Sequence, residues 1–547
     1  MINHDQRPRV LIVGLDGATF HLLQPLIEQN KLPFFHRLLH EGSSGVLDSD
    51  LPVNSAANWA SLFSGKNPGK HNIYDYLNYG NGSYQPQLIQ RDSFKTSFVW
   101  NIANDNGLRI MVLNAPISAG PEPLNGIMVS GLLTPANQRY AYPDTIAEEL
   151  EQQGYPVDCG AARRLEPEEY FTELQTTLTR QVETFSRLLR NHPWDLAVLT
   201  LNILGKAQHD FWHESNKIET LYMQIDDFLK DLYSLLDEES YFMVVSHHGF
   251  KSVTKKFFVN EWLWELGLLK KKITINPARI TDVHDVIYNH FEEPHAITRF
   301  LARAGITKDH LRSILPDMIA EYLKRFIPWG IKKYFPYEYL AIDWAQTQAY
   351  FISTNVQGIN INLQGREPQG IVTPGQQYER LRDKIIGELY RLKDPYTLED
   401  VVDEIYRRED VFKGDYVQNA PDIIFVPHQY NYYLDSNKRT SLLCIGSAKD
   451  DYPVYAYHEP RGIFFITGPD IKKGKQLNGI DIYDVAPTVL HLLGLPIPRD
   501  FDGRVLSAIF QGMNGYIYQP HPQAIEDNAP LFPLEFRQRI AVDTAAA

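Results

Sequence analysis

The chain has 547 residues, 44% hydrophobic and 22% charged, an ordinary globular composition in a length beyond one compact core. With 53 basic and 67 acidic side chains its formal net charge is -14, which argues against duplex nucleic acid as a partner. A local basic pocket for one small phosphorylated ligand stays compatible with it. Cys159 and Cys444 are the only cysteines, which excludes a disulfide framework and a thiolate zinc cluster and suits a reducing compartment.

Residues 1–8 run straight into a strand pattern, with no apolar signal core and no stretch of about 18 apolar residues anywhere. The expectation is a cytoplasmic protein without a transmembrane segment. Residues 9–15 form a short continuous apolar run, the pattern of a parallel strand covered on both faces. Asp16-Gly17 end it, and a helical pattern follows. Similar runs recur at Leu108–Leu113, Ile127–Val129, Asp195–Leu201, Tyr241–Val245, Ile423–Val426 and Gly462–Ile466, with helical patterns between them, notably Pro167–Asn191 and Glu219–Leu236. This alternation predicts an α/β fold: a mostly parallel sheet with helices on both faces. From 273 to 343 the strand signal disappears and the residues read as an inserted helical cap, with a core of 1–272 and 344–511 around it. Residues 512–547 contain Pro and Ala and read as a surface strap or tail. No feature of the sequence specifies an oligomer.

In sheets of this kind, ligands bind at the carboxyl ends of the strands. Asp16, His209 and His247-His248 all lie at or just after predicted strand ends, which points to one site. Each residue alone carries a plainer reading. Asp-Gly after a strand is commonly a turn. Ser55, before an Ala-Ala-Asn-Trp-Ala helical run, is a natural helix N-cap. A single buried histidine is usually a hydrogen-bonded structural one. His71, His213 and His428 are read that way, and Arg366 is read as ordering its loop.

Taken in order, the motifs are more specific. They are Gly14-Leu15-Asp16-Gly17, Ser55 four residues before Trp59, Gly65-Lys66-Asn67-Pro68-Gly69-Lys70-His71, Gln208-His209, Ser246-His247-His248-Gly249-Phe250, Gly365-Arg366-Glu367-Pro368, His458-Glu459-Pro460-Arg461-Gly462, Asp484-Val485-Ala486-Pro487-Thr488 and Asp502-Gly503. The series resembles the type I phosphodiesterase/nucleotide pyrophosphatase branch of the alkaline phosphatase superfamily. That resemblance implies an alkaline-phosphatase-like sheet and a metal-dependent hydrolase of small phosphodiester or nucleotide-type substrates. In such enzymes one ion is held by an aspartate, the Ser or Thr nucleophile and an Asp-His pair, and the other by an aspartate and two histidines. Two ions support in-line attack on phosphorus by charge on the attacking and leaving oxygens. Carried over by position, Ser55 is the nucleophile. Asp16, Ser55, His247 and His248 make the first set, and His209 and His458 the second. Asn54 is a candidate donor to a phosphoryl oxygen.

Two positions depart from the pattern. Gly205 stands where the second set has its aspartate, and His247 where the first set has one of its two. An imidazole still ligates, so the first set keeps enough donors for one divalent ion, with zinc the family's type. The second keeps two histidines, fewer than a catalytic zinc site needs. Asp210 is next to His209, but an adjacent side chain usually points elsewhere, so the expectation is that it does not replace the lost ligand. The expectation is a hydrolase-like protein with one ion rather than two. A catalytically silent binding or scaffold protein without metal is the alternative.

Overall fold

The computed structural model describes residues 8–512, except 79–83, 85–86, 119, 133, 135–138, 160–164, 277–336, 437–443 and 450–452. Its centre is a nine-stranded sheet in the order Lys475–Asp481, Ser43–Asp48, Arg461–Thr467, Tyr241–Val245, Val10–Leu15, Leu196–Leu201, Ile110–Ala115, Gly126–Ser130, Ala141–Tyr142. Only Arg461–Thr467 and Ala141–Tyr142 run against the others, so the sheet is mixed and mostly parallel.

The continuous apolar runs follow from burial on two sides. In the central strand, Leu11, Val13 and Leu15 join a core with the helices Phe20–Glu28, Pro33–Glu41, Pro167–Asn191 and Ser215–Tyr233. Val10 and Ile12 point the other way, into a core with Trp59 and Phe63 of helix Ser55–Ser64 and Val485 and Val489 of helix Val485–Leu492. Alternate residues of a strand face opposite sides, so a sheet buried on both needs apolar residues throughout. The expected α/β architecture is the one observed.

One run belongs elsewhere. Ile423–Pro427 lies in a separate antiparallel sheet with Ala349–Phe351, Gly358–Ile361 and Val402–Arg407. Ile423 and Phe425 pack with Ile385 and Leu389 of helix Gln376–Arg391, while Ile424 and Val426 pack against Leu51 and Val53. Being buried on both faces, it has the pattern of a parallel strand without being one. The stretch read as a cap, 273–343, also begins and ends differently: Lys271–Asn276 pairs antiparallel with Tyr337–Ile342. The cap's interior, 277–336, and residues 513–547 of the expected strap or tail lie outside the described residues. Among the described residues, no helix is long and apolar enough to cross a membrane.

Candidate metal and nucleophile site

Strand ends and a helix start converge at the carboxyl edge of the sheet. Asp16 follows Val10–Leu15, and its backbone N–H donates to Leu201 O at 2.9 Å. Gly17, at φ +77°, turns the chain, and the Gln208 amide donates to its carbonyl at 2.9 Å. A Cβ on Gly17 would strike the Phe250 ring at 2.5 Å, so this turn requires glycine twice over. His247 and His248 follow Tyr241–Val245. Ser246 fixes their turn, donating to His248 O at 2.8 Å and accepting from Ala18 N–H at 3.0 Å.

Ser55 is the first residue of helix Ser55–Ser64, and the N-cap is Asn54. Asn54 Oδ1 accepts from Ala57 N–H at 2.9 Å, and its amide donates to Tyr74 O and Asn355 O, both at 3.0 Å. Both amide hydrogens are thus committed. The donation to a phosphoryl oxygen expected of Asn54 gives way to capping, the role that Ser55 was equally suited to. The Ser55 hydroxyl, released from capping, faces His248 Nε2 at 3.1 Å. His248 Nδ1 lies 3.2 Å from Gly249 O. A carbonyl only accepts, so Nδ1 carries the proton and Nε2 presents its lone pair towards Ser55.

Asp16 Oδ1 stands 3.7 Å from His248 Nε2 and 3.9 Å from His247 Nε2. Those separations are long for hydrogen bonds. Two ligands on a tetrahedral ion, each about 2.0–2.1 Å from it, stand about 3.3 Å apart, close to what is seen. Donor atoms of Asp16, His247 and His248 all lie within 4.8 Å of one another. His247 is fully buried and stacked on Trp59, ring centroids 4.1 Å apart, and neither of its nitrogens has a hydrogen-bond partner. Burying an imidazole in that state is costly unless something else takes a lone pair. Burial pushes the Asp16 carboxyl up to about 7, with Lys206 opposing it. Burial, reinforced by neighbouring imidazoles, holds His247 and His248 well below the ordinary histidine range. Neutral imidazoles are the form that ligates metal, and a dication would restore the charged form of the carboxylate. This donor set fits one divalent ion.

The second set is arranged differently. His209 sits on helix Ile203–Phe211 and His458 on strand Ala456–Glu459, opposite Phe250 in the pairing with Gly249–Ser252. Their Nε2 atoms are 3.1 Å apart. His458 Nδ1 faces Val53 O at 3.4 Å, which assigns its proton and leaves Nε2 to accept from His209. Burial lowers His458 to about 4, so the ring is neutral at pH 7. One Nε2 donor and one Nε2 acceptor thus face each other. Gly205, on the same helix, adds no donor. Asp210 accepts from Tyr170 Oη, of the Pro167–Asn191 helix, at 3.2 Å. The two sets touch where His248 stacks on His458, centroids 4.1 Å apart.

The remaining candidates make structural contacts. His71 is buried, with Nε2 3.0 Å from Ser61 Oγ and Nδ1 accepting from Ile73 N–H at 3.1 Å. His213 stacks on Tyr455, and His428 Nδ1 lies 2.6 Å from Asp403. Arg366 donates to both Asp422 oxygens at 2.7 Å and to Ile361 O at 2.6 Å. Trp59, the wall behind His247, was legible only as a spacing marker. Its signal was Gly14: a Cβ there would meet the indole at 2.5 Å, and a glycine within an apolar strand marks such close approach.

Compared with known families, the chain matches type I phosphodiesterase/nucleotide pyrophosphatase over residues 10–453. It belongs to that family, within the alkaline phosphatase superfamily. Among solved structures it is similar to a phosphonoacetate hydrolase from Sinorhizobium meliloti in complex with phosphonoformate, with TM-score 0.54 and 15% identity, covering 89% of this chain and 95% of that one. The same hydrolase with phosphonoacetate matches at TM-score 0.54 and 14% identity, with the same coverage of 89% and 95%. Inactive murine ectonucleotide pyrophosphatase/phosphodiesterase 5 in complex with AMP matches at TM-score 0.48 and 12% identity, covering 90% of this chain and 96% of that one. The likeness to the phosphonoacetate hydrolase, at 14–15% identity, is one of fold. A comparison with curated protein sequences finds no match.

Proposed function

We propose that this member of the type I phosphodiesterase/nucleotide pyrophosphatase family hydrolyses small phosphodiester or nucleotide-type substrates with Ser55 as nucleophile and a one-ion metal centre. The observation that carries the reading is Ser55 itself. Its hydroxyl is free of the capping role, stands at the start of a buried helix and lies 3.1 Å from His248 Nε2, beside the Asp16–His247–His248 donor cluster.

Asp16, His247, His248 and the Ser55 oxygen would hold the ion, with zinc suited to two imidazoles and a carboxylate. Bound there, it would supply Lewis-acid charge to a phosphoryl oxygen and lower the pKa of the hydroxyl. Ser55 Oγ would give up its proton to solvent and attack phosphorus while the bond to the leaving oxygen breaks and that group departs as its alcohol. Water then hydrolyses the phosphoserine, releasing the phosphomonoester and returning the Ser55 hydroxyl. The chain orients this step. Asn54 and the first helical turn fix the Ser55 backbone, and Gly249 O fixes the His248 tautomer. The N-terminal end of helix Ser55–Ser64 favours the incoming negative charge. His209 and His458, paired with each other, hold no second ion. A chain with two cysteines, too few for a disulfide framework, suits a reducing, cytoplasmic setting.

The test is turnover of a bis-aryl phosphodiester with zinc, manganese or iron supplied in turn. The reading expects metal-dependent turnover that Ser55→Ala abolishes. Unchanged turnover in Ser55→Ala would remove the nucleophile assignment. No turnover with any ion would favour a silent binding protein.

A further inference from the structure

The antiparallel sheet that contains Ile423–Pro427 carries none of Asp16, Ser55, His209, His247, His248 and His458, yet one of its turns reaches the segment before Ser55. Strands Ala349–Phe351 and Gly358–Ile361 are joined through the short turn Thr354–Val356, which Ser353 caps by accepting from Asn355 N–H at 3.2 Å. Asn355 meets three separate parts of the fold. Its carbonyl accepts from the Asn54 amide at 3.0 Å, its own amide donates to Asp75 Oδ1 at 3.1 Å, and its Oδ1 accepts from Tyr457 Oη at 2.6 Å. Tyr457 precedes His458 and stacks on it, ring centroids 4.4 Å apart. Gln357 closes the turn at φ +50°, a left-handed conformation uncommon outside glycine. Held there and buried, its Oε1 accepts from Val53 N–H at 2.9 Å. The Val53 carbonyl in turn faces His458 Nδ1 at 3.4 Å.

We propose that Asn355 and Gln357 are positioning residues for Ser55: their turn grips residues 53 and 54 on one side and the His458 strand on the other, and so fixes the hydroxyl opposite the histidines. The inference rests on the nucleophile reading above and extends it to two residues outside the donor sets. Val53 and Asn54 lead directly into Ser55, so the partners of the Val53 N–H and the Asn54 amide set how the chain enters helix Ser55–Ser64. Strained backbone such as that of Gln357 persists where the surroundings hold it, and it concentrates at functional sites. Both residues act through Ser55 rather than on phosphorus. Their loss changes how often the hydroxyl stands in line for attack and leaves the groups that take up substrate and metal in place. The effect therefore falls on kcat and spares KM.

The experiment is steady-state turnover of a bis-aryl phosphodiester with the ion that supports wild-type activity, at a temperature where thermal unfolding shows each protein folded. The proteins are wild type, Asn355→Ala, Gln357→Met, Tyr457→Phe and the combination of Asn355→Ala with Tyr457→Phe. Gln357→Met keeps the length of the side chain and removes its acceptor. Asn355→Ala and Gln357→Met are each expected to lower kcat about 10- to 100-fold, the scale of an ångström's misplacement, with KM unchanged. Tyr457→Phe keeps the ring on His458 and is expected to lower kcat less. In the Asn355→Ala background it is expected to add nothing, because the two substitutions remove one shared bond. A kcat equal to wild type in either Asn355→Ala or Gln357→Met overturns this inference alone, as does a loss carried by KM. Fully additive losses from Asn355→Ala and Tyr457→Phe also overturn it. A wild-type protein without turnover, or turnover untouched by Ser55→Ala, overturns the nucleophile reading and this inference with it.

Discussion

The two halves of the candidate site differ in what their histidines face. Beside Asp16 stands His247, a fully buried imidazole with no partner at either nitrogen, stacked on Trp59 and facing a carboxylate too distant to hydrogen-bond. Across the His248–His458 stack, His209 and His458 face each other with their Nε2 atoms 3.1 Å apart. One half keeps a buried imidazole with neither nitrogen partnered, beside Asp16 and His248. In the other, two imidazoles face each other at hydrogen-bond distance. A histidine's presence therefore says little about whether it ligates; what its nitrogens face says more.

That contrast can be broken by measurement. The largest expected effect is on chemistry: Ser55→Ala should lower metal-dependent phosphodiester turnover by about a thousandfold or more, as loss of a nucleophile does. Zinc uptake should largely survive, because Asp16, His247 and His248 remain. Next comes metal-linked stability. Zinc at about 100 times its Kd should raise wild-type stability by about 2.7 kcal/mol. His247→Ala should lose that gain and His209→Ala should keep it, as read by thermal unfolding with and without zinc. The opposite pattern would reverse the assignment of the two halves.

Smaller effects belong to the metal-free protein. His209→Ala removes the donor to His458 Nε2 and should cost about 1–3 kcal/mol in urea unfolding, the cost of an orphaned buried acceptor. His247→Phe keeps a ring against Trp59 and removes two partnerless nitrogens, so it should be neutral or stabilising, within about 1 kcal/mol. Destabilisation by His247→Phe comparable to that of His209→Ala would mean that the two histidines are held alike.

The frame of this site was legible because it depends on local pattern. The strand Val10–Leu15 announces itself through burial on both faces, and Asp16, His209 and His247-His248 through their places after strand ends. What was not legible depends on contacts across the fold. Ile423–Pro427 carries the same apolar pattern but joins a different sheet, because helix Gln376–Arg391 covers its other face. Asn54 and Ser55 are both good capping residues, and only the carbonyls of Tyr74 and Asn355, far away in sequence, commit the Asn54 amide.

The count of tightly bound metal ions per chain, by elemental analysis of protein purified and then equilibrated with zinc, tests the difference between the halves most directly. The account predicts one ion, lost in His247→Ala and retained in His209→Ala. Two ions per chain, or one that departs with His209 and survives the loss of His247, would contradict it.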